Sequence, residues 1–241
     1  MTNLMFKLRR SPRMLLERDG HPGAGPGHLA LVMARAGVGK TAFLVGIGID
    51  ALLSGQKVLH ISLERSVDKI RQWYDDLLQE MLRGEGKLEH RTAIQLEMER
   101  RRHIHTYVGR SFSGDRLGQA LELLRETMDF VPNVIILDRM ELEGFDPAII
   151  ESAKTMAGEN GAELWMACRT HRDGPVAAEG HLPPPAEPFE ELVDTAFSLV
   201  PHDTKVRLHV LKDRQQMLDR GLNVLLDPQT LLLVTGVGAK R

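Results

Sequence analysis

Cysteine is almost missing from this chain: Cys168 is the single one in 241 residues. One thiol excludes an intramolecular disulfide framework and fits a reducing compartment. No stretch approaches the roughly 18 to 20 consecutive apolar residues that a membrane-spanning helix needs. The opening MTNLMFKLRRSPRML is positively charged but has no sustained apolar core and no small-residue cleavage site, so a secretory leader is not expected. A surplus of positive charge is missing too. With 31 Lys+Arg against 33 Asp+Glu and a formal net charge of -2, the surface as a whole is not built to grip nucleic acid, though local basic patches are compatible with it. No linker splits the chain into halves. At 42% hydrophobic content the chain is long enough for one sizeable core, and a single α/β domain in a soluble, cytoplasmic protein without a membrane span is expected.

What is present is organised around Ala34 to Thr41, ARAGVGKT. This stretch follows an apolar run, 28–33, and opens an apolar-periodic segment that ends near Ser54. The pattern is strand, glycine-rich turn, helix. In such a turn successive backbone N–H groups point into one concavity and the helix N-terminus adds partial positive charge, so a polyphosphate is the ligand that fits. Gly37 and Gly39 would let the backbone approach the phosphates, Lys40 would reach the β and γ phosphates, and the Thr41 hydroxyl would ligand Mg²⁺. Ala34 stands where the pattern GxxxxGK[ST] has its first Gly, a change that a negative φ tolerates. The expected nucleotide-binding set is Ala34, Arg35, Ala36, Gly37, Val38, Gly39, Lys40, Thr41, Ala42 and Arg169, with ATP and Mg²⁺ as cofactors.

The remaining chain divides into an N-terminal arm and loop, 1–26, and a domain, 27–241. The arm is basic and mildly amphipathic and ends in a Gly/Pro-rich loop; a mobile tail and an arm docked on a neighbouring subunit are both compatible with it. A buried strand is expected over 57–64. A helix over 67–82 carries Ile70, Trp73, Leu77, Leu78 and Met81 on its apolar face. A charged helix over 88–102 ends in Arg100, Arg101 and Arg102, the densest basic cluster in the chain, which reads first as a solvated face. The strand 103–108 places His103 and His105 on one face without a third ligand nearby, so they read as ordinary strand histidines. Ser113 or Asp115 caps the next helix. Strands to Asp138 and over ELWMACRT flank a helix over 147–159. A Pro-rich segment, 173–188, reads as an irregular, mobile element, and three C-terminal strands follow.

Hydrolysis of a nucleotide needs a metal ligand, a group that activates water and a cation for the transition state. Asp138, delivered at the end of the apolar run VIIL, is the metal-side carboxylate. In many related ATPases the next residue is Glu and serves as base; here it is Arg139. Glu64, at the end of the strand expected beside the phosphate-loop strand, is the best placed alternative. Arg169 and Thr170 emerge toward the same crevice, because ligands of open α/β sheets bind outside the carboxyl ends of the strands.

The segments ARAGVGKTAF, SLERS, VIILD, LVDTAFSLV, VLKDR and LLDPQT occur in the order and approximate spacing of the ATPase domain of DnaB-type replicative helicases, and the chain from about Gly27 to Val234 resembles that domain. The wider RecA-like superfamily, including KaiC-like ATPases, is similar. The resemblance implies a RecA-like P-loop fold, a mostly parallel central sheet flanked by helices with antiparallel C-terminal strands. It also implies a homo-oligomer, a hexameric ring or filament with nucleotide at the interfaces. Lys40 and Glu64 would be catalytic, Thr41 and Asp138 would hold the metal, and Lys212 and Arg214 would reach the γ-phosphate of the adjacent protomer. A Lys and an Arg two apart on a strand also point to one face. The chain departs from the helicases where Arg169, Thr170 and His171 replace a sensor glutamine, and it is expected to lack their collar domain. A regulatory or assembly ATPase acting on an unknown protein partner is therefore the expected function, with a DNA helicase or translocase and a nucleotide-binding switch or scaffold as alternatives.

Overall fold

A computed structural model of the chain describes residues 10–16, 23–107, 111–170, 181–214, 216–217 and 224–234. The strands are β1 (Leu29–Ala34), β2 (Val58–Ser62), β3 (Arg102–Thr106), β4 (Val134–Met140), β5 (Glu163–Arg169), β6 (Thr195–His202), β7 (Lys205–Asp213), β8 (Gln216–Met217) and β9 (Val224–Leu226). The α-helices are α1 (Lys40–Leu53), α2 (Val67–Gly84), α3 (Arg91–Glu99), α4 (Gly114–Met128) and α5 (Pro147–Glu159). All the strands join one sheet in the order β3-β2-β4-β5-β1-β6-β7-β8, with β9 also on β7. From β3 to β6 every pairing is parallel, and β7 to β9 extend the sheet antiparallel. The expected α/β class, mostly parallel sheet and antiparallel C-terminal strands are what is found. Among the described residues no helix is long and apolar enough to cross a membrane.

Strand β1 is buried at all six positions, as a central strand covered on both faces must be. Its alternate residues Ala30, Val32 and Ala34 face α1, α2 and α3, whereas Leu29, Leu31 and Met33 face α4 and α5. Helix α1 is buried from Thr41 to Leu53. It stops where Gly55, at φ 84, turns the chain back toward β2. On α2 the buried stripe is Ile70, Tyr74, Leu77, Leu78 and Met81. Trp73, expected in that stripe, is instead 36% exposed; Tyr74 takes the inward position and its hydroxyl meets His60 Nδ1 at 3.1 Å.

Several local expectations change. The expected charged helix over 88–102 is instead a short 3-10 turn (Leu88–His90) passing at Arg91 into α3, which ends at Glu99 because Arg102 is already a strand residue. The arginine cluster is consequently dispersed: Arg100 and Arg101 both pair with Glu97, at 3.0 and 2.8 Å, and Arg102 is buried with its guanidinium 4.4 Å from the Tyr74 ring centre. His103 packs edge-on against Phe130, 4.4 Å between ring centres. Ser113 is the cap of α4 and accepts from Arg116 N. The C-terminal run 224–234 is a short hairpin, β9 followed by a turn whose amides at Gln229 and Thr230 donate to Asp227 Oδ1 and then a bridge from Leu226 to Leu233.

The N-terminal arm is not a separate unit over its described part. Residues Pro12–Leu16 form a 3-10 helix whose Leu16 joins the core. Arg13 is 1% exposed and donates to Glu163 Oε1 (2.7 Å), Gln56 Oε1 (3.0 Å) and Asp50 Oδ2 (3.4 Å). Gly25 N donates to the other Glu163 oxygen at 3.1 Å. This buried ion network, on the chain's own domain, displaces both the mobile-tail and the neighbour-docked readings for residues 10–16; residues 1–9 and 17–22 lie outside the described set. Of the Pro-rich segment, 173–180 lies outside it as well. The described remainder is packed, with Leu182, Ala186 and Phe189 buried around a 3-10 turn (Glu187–Phe189).

Candidate phosphate-binding site

At the carboxyl end of β1 the chain turns through 35–39 into α1. Gly37 and Gly39 have φ of 81 and 109, the left-handed region that an L side chain rarely occupies. Ala34 closes β1 and is not among the positive-φ residues, which is why the missing first glycine is harmless. A Cβ built on Gly37 would meet nothing within 4 Å, so the turn opens onto space; one built on Gly39 would approach Leu231 Cδ1 at 3.2 Å. Leu231 is buried, has φ 52, and comes from the C-terminal hairpin; two residues on, Leu233 N donates to Arg10 O.

Lys40 folds back on the turn, donating from Nζ to Ala34 O at 2.8 Å and Arg35 O at 3.0 Å. Its pKa is lowered, chiefly by burial. The Thr41 hydroxyl donates to Asp138, 2.9 Å to Oδ2 and 3.2 Å to Oδ1. Asp138, 1% exposed, has a raised pKa because burial outweighs that hydrogen bond and the nearby Arg139 and Lys40 charges. Two residues remote in sequence are thus brought together as the motifs predict. One carboxylate and one hydroxyl form an oxygen donor pair suited to Mg²⁺, which keeps water ligands and takes phosphate oxygens. The open concavity over Gly37, with Lys40 at its rim, fits a polyphosphate.

Glu64 follows β2, which is not beside β1 as expected: β4 and β5 lie between them. The carboxylate nevertheless reaches the site because β2 adjoins β4, with Ser62 in register with Asp138 and Leu63 N donating to Asp138 O. Arg139 Nη1 donates to Glu64 Oε2 at 2.7 Å. Arg139 has φ 69, and the β4–β5 register shifts between Leu137 and Met140, so its side chain leaves the ladder and enters the crevice.

A cavity of about 270 Å³ contains Gly37, Lys40, Thr41, Asp138 and Glu64 in its lining, with Arg169 at the end of β5 where it was expected. A larger cleft of about 700 Å³ adjoins it and shares Glu64, Arg139 and Glu141. Trp73 also lines the smaller cavity. Sequence periodicity concealed that role by assigning it to the core, although the alternative stripe through Tyr74 has equal helical spacing.

Lys212 and Arg214 line neither cavity. Lys212 Nζ donates to Glu190 O at 2.6 Å within the same chain. Arg214 lies one residue past β7, with φ 55, at the start of a two-residue connection to β8, so the two do not share a strand face. Compared with known proteins, the chain matches no family model and no curated protein, and its functional reading rests on the geometry of this site.

Proposed function

We propose that the chain is a RecA-like P-loop ATPase that binds and hydrolyses Mg²⁺-ATP. The observation carrying this reading is the convergence of Lys40, Thr41 and Asp138 on one cavity at the carboxyl ends of parallel strands, with Glu64 across from them. Backbone N–H groups of 36–41 would cradle the phosphates, and Lys40 would exchange its two carbonyl acceptors for phosphate oxygens. Thr41 and Asp138 would hold Mg²⁺, which when bound neutralises charge on the β- and γ-phosphates. Glu64 orients the attacking water and accepts its proton. The adjoining larger cleft gives water access to that carboxylate.

We assign the work to regulation or assembly rather than to DNA translocation. The arginine cluster that came nearest to a basic patch is engaged by Glu97 and the Tyr74 ring. Arg214 is exposed at the β7–β8 turn, a position from which it can meet a second copy in a ring or filament. Calorimetric titration with Mg²⁺-ATP tests the reading: Lys40→Ala should lose binding, while Glu64→Gln should bind at least as tightly as the wild type and lose turnover. Wild-type binding that Lys40→Ala leaves intact would refute the site, and full turnover in Glu64→Gln would refute the base.

A further inference from the structure

Lys212 and Arg214, expected to act on the nucleotide of an adjacent protomer, line neither cavity of their own chain, whereas Arg139 lines both. Nothing in the strand pattern of β4 requires an arginine there. A side chain that followed the ladder would point away from its neighbour Asp138, yet the register shift and the left-handed backbone at 139 carry the guanidinium into the crevice instead. There it finds the carboxylate that would activate water, 2.7 Å away. The charge of Arg139 also bears on Lys40 and on Asp138, so it lies within electrostatic reach of both phosphate-side groups.

We infer that Arg139 is a γ-phosphate sensor supplied by the same chain: without a triphosphate it engages Glu64 in an ion pair that holds the carboxylate away from the attacking position, and with one it transfers to the γ-phosphate and releases Glu64. This rests on the ATPase reading above. Both partners of the pair are exposed, and ion pairs of that kind are weak enough to be exchanged. A terminal phosphate carries more charge than a carboxylate and takes guanidinium through two parallel hydrogen bonds. Diphosphate offers no γ oxygens, so the pair with Glu64 persists after hydrolysis. Arginine at this position therefore couples the identity of the nucleotide to the availability of the base, and adds positive charge where the transition state develops negative charge.

The test is a cycle of Arg139→Gln, Glu64→Gln and the double variant, each titrated calorimetrically with Mg²⁺-ATP and Mg²⁺-ADP. Arg139→Gln should lower the preference for ATP over ADP by about tenfold or more while ADP affinity stays at the wild-type value, which also reports an intact fold. Glu64→Gln should raise ATP affinity by about 1.4- to 5-fold, the strength of an exposed pair no longer opposing transfer. That gain should vanish in the double variant, a non-additivity that a merely structural arginine does not produce. Turnover should fall by about 10³-fold in Arg139→Gln, and Arg139→Lys should recover part of both effects. An unchanged ATP preference, an undiminished Glu64→Gln gain in the Arg139→Gln background, or faster turnover in Arg139→Gln overturns the inference. Equal loss of ATP and ADP in Arg139→Gln does so too, since it makes the residue a support of the loop. If the wild type and Lys40→Ala bind neither nucleotide, the ATPase reading fails first and takes the sensor with it.

Discussion

Replacing Arg13 by Met probes the buried network that fastens the N-terminal segment. The guanidinium is bonded to Glu163, Asp50 and Gln56, and both carboxylates are at least 95% removed from solvent at their side chains. Methionine fills similar length but strips the cation from two buried acids. Breaking a buried pair in this way costs about 3–5 kcal/mol, because the remaining charge has lost both water and partner. A domain of this size melts about 2–4 °C lower per kcal/mol, so a fall of roughly 6–20 °C is expected. The assay is a far-ultraviolet circular dichroism melt, checked for reversibility. Restoring neutrality with Glu163→Gln and Asp50→Asn in the Arg13→Met background should recover most of the loss, since the penalty lies in the uncompensated charges. Nucleotide affinity measured below the transition should stay unchanged, because the network joins the C-terminal half of α1 to the start of β5, the opposite end of these elements from Lys40 and Arg169. A melt within about 2 °C of wild type refutes the reasoning, as does a triple variant no more stable than the single one.

Two further outcomes bear on the site. Trp165 is fully buried whereas Trp73 lines the smaller cavity, so in a Trp165→Phe variant the remaining indole should change emission on adding Mg²⁺-ATP and stay silent when Lys40→Ala is added; an unresponsive Trp73 with calorimetrically proven binding removes it from the nucleotide's surroundings. For Asp138 the sign follows from burial: its folded pKa stands above the unfolded value of about 3.9, so the native state holds the extra proton and the stability it contributes is present at low pH and lost as pH rises through the folded value. Mg²⁺ requires the ionised form, and its affinity for the nucleotide-bound protein should rise over that same window. Asp138→Asn should flatten both slopes, and Mg²⁺ affinity equal across the window in the wild type contradicts the assignment.

The segments that sequence made legible are those whose signal is local. Six apolar residues, two glycines at φ 81 and 109 and a Lys-Thr pair specify β1, the turn and the start of α1 without help from elsewhere. The apolar run ending in Asp138 is equally local. Strand order is not: that β5 inserts between β1 and β4, and that Glu64 therefore reaches the site through β4, depends on pairings among strands of nearly equal apolar content. The choice between Trp73 and Tyr74 was settled by His60, on the preceding strand β2. Arg13 looked like tail charge until Glu163, 150 positions later, became its partner. Arg139 was visible as a departure from a pattern, but its direction was set by a register shift that no composition or period encodes.

The contact between Leu231 and Gly39 has an evolutionary side. A side chain at 39 would have to clear a buried leucine that is itself held at φ 52, while the same hairpin is tied to Arg10 two residues later. Three stretches, near the start, the phosphate turn and the close of the described chain, therefore cannot drift independently. Among descendants of this sequence Gly39 should persist whatever stands at 231, because its φ of 109 strains any side chain even where space is made, and position 231 is the partner left to vary.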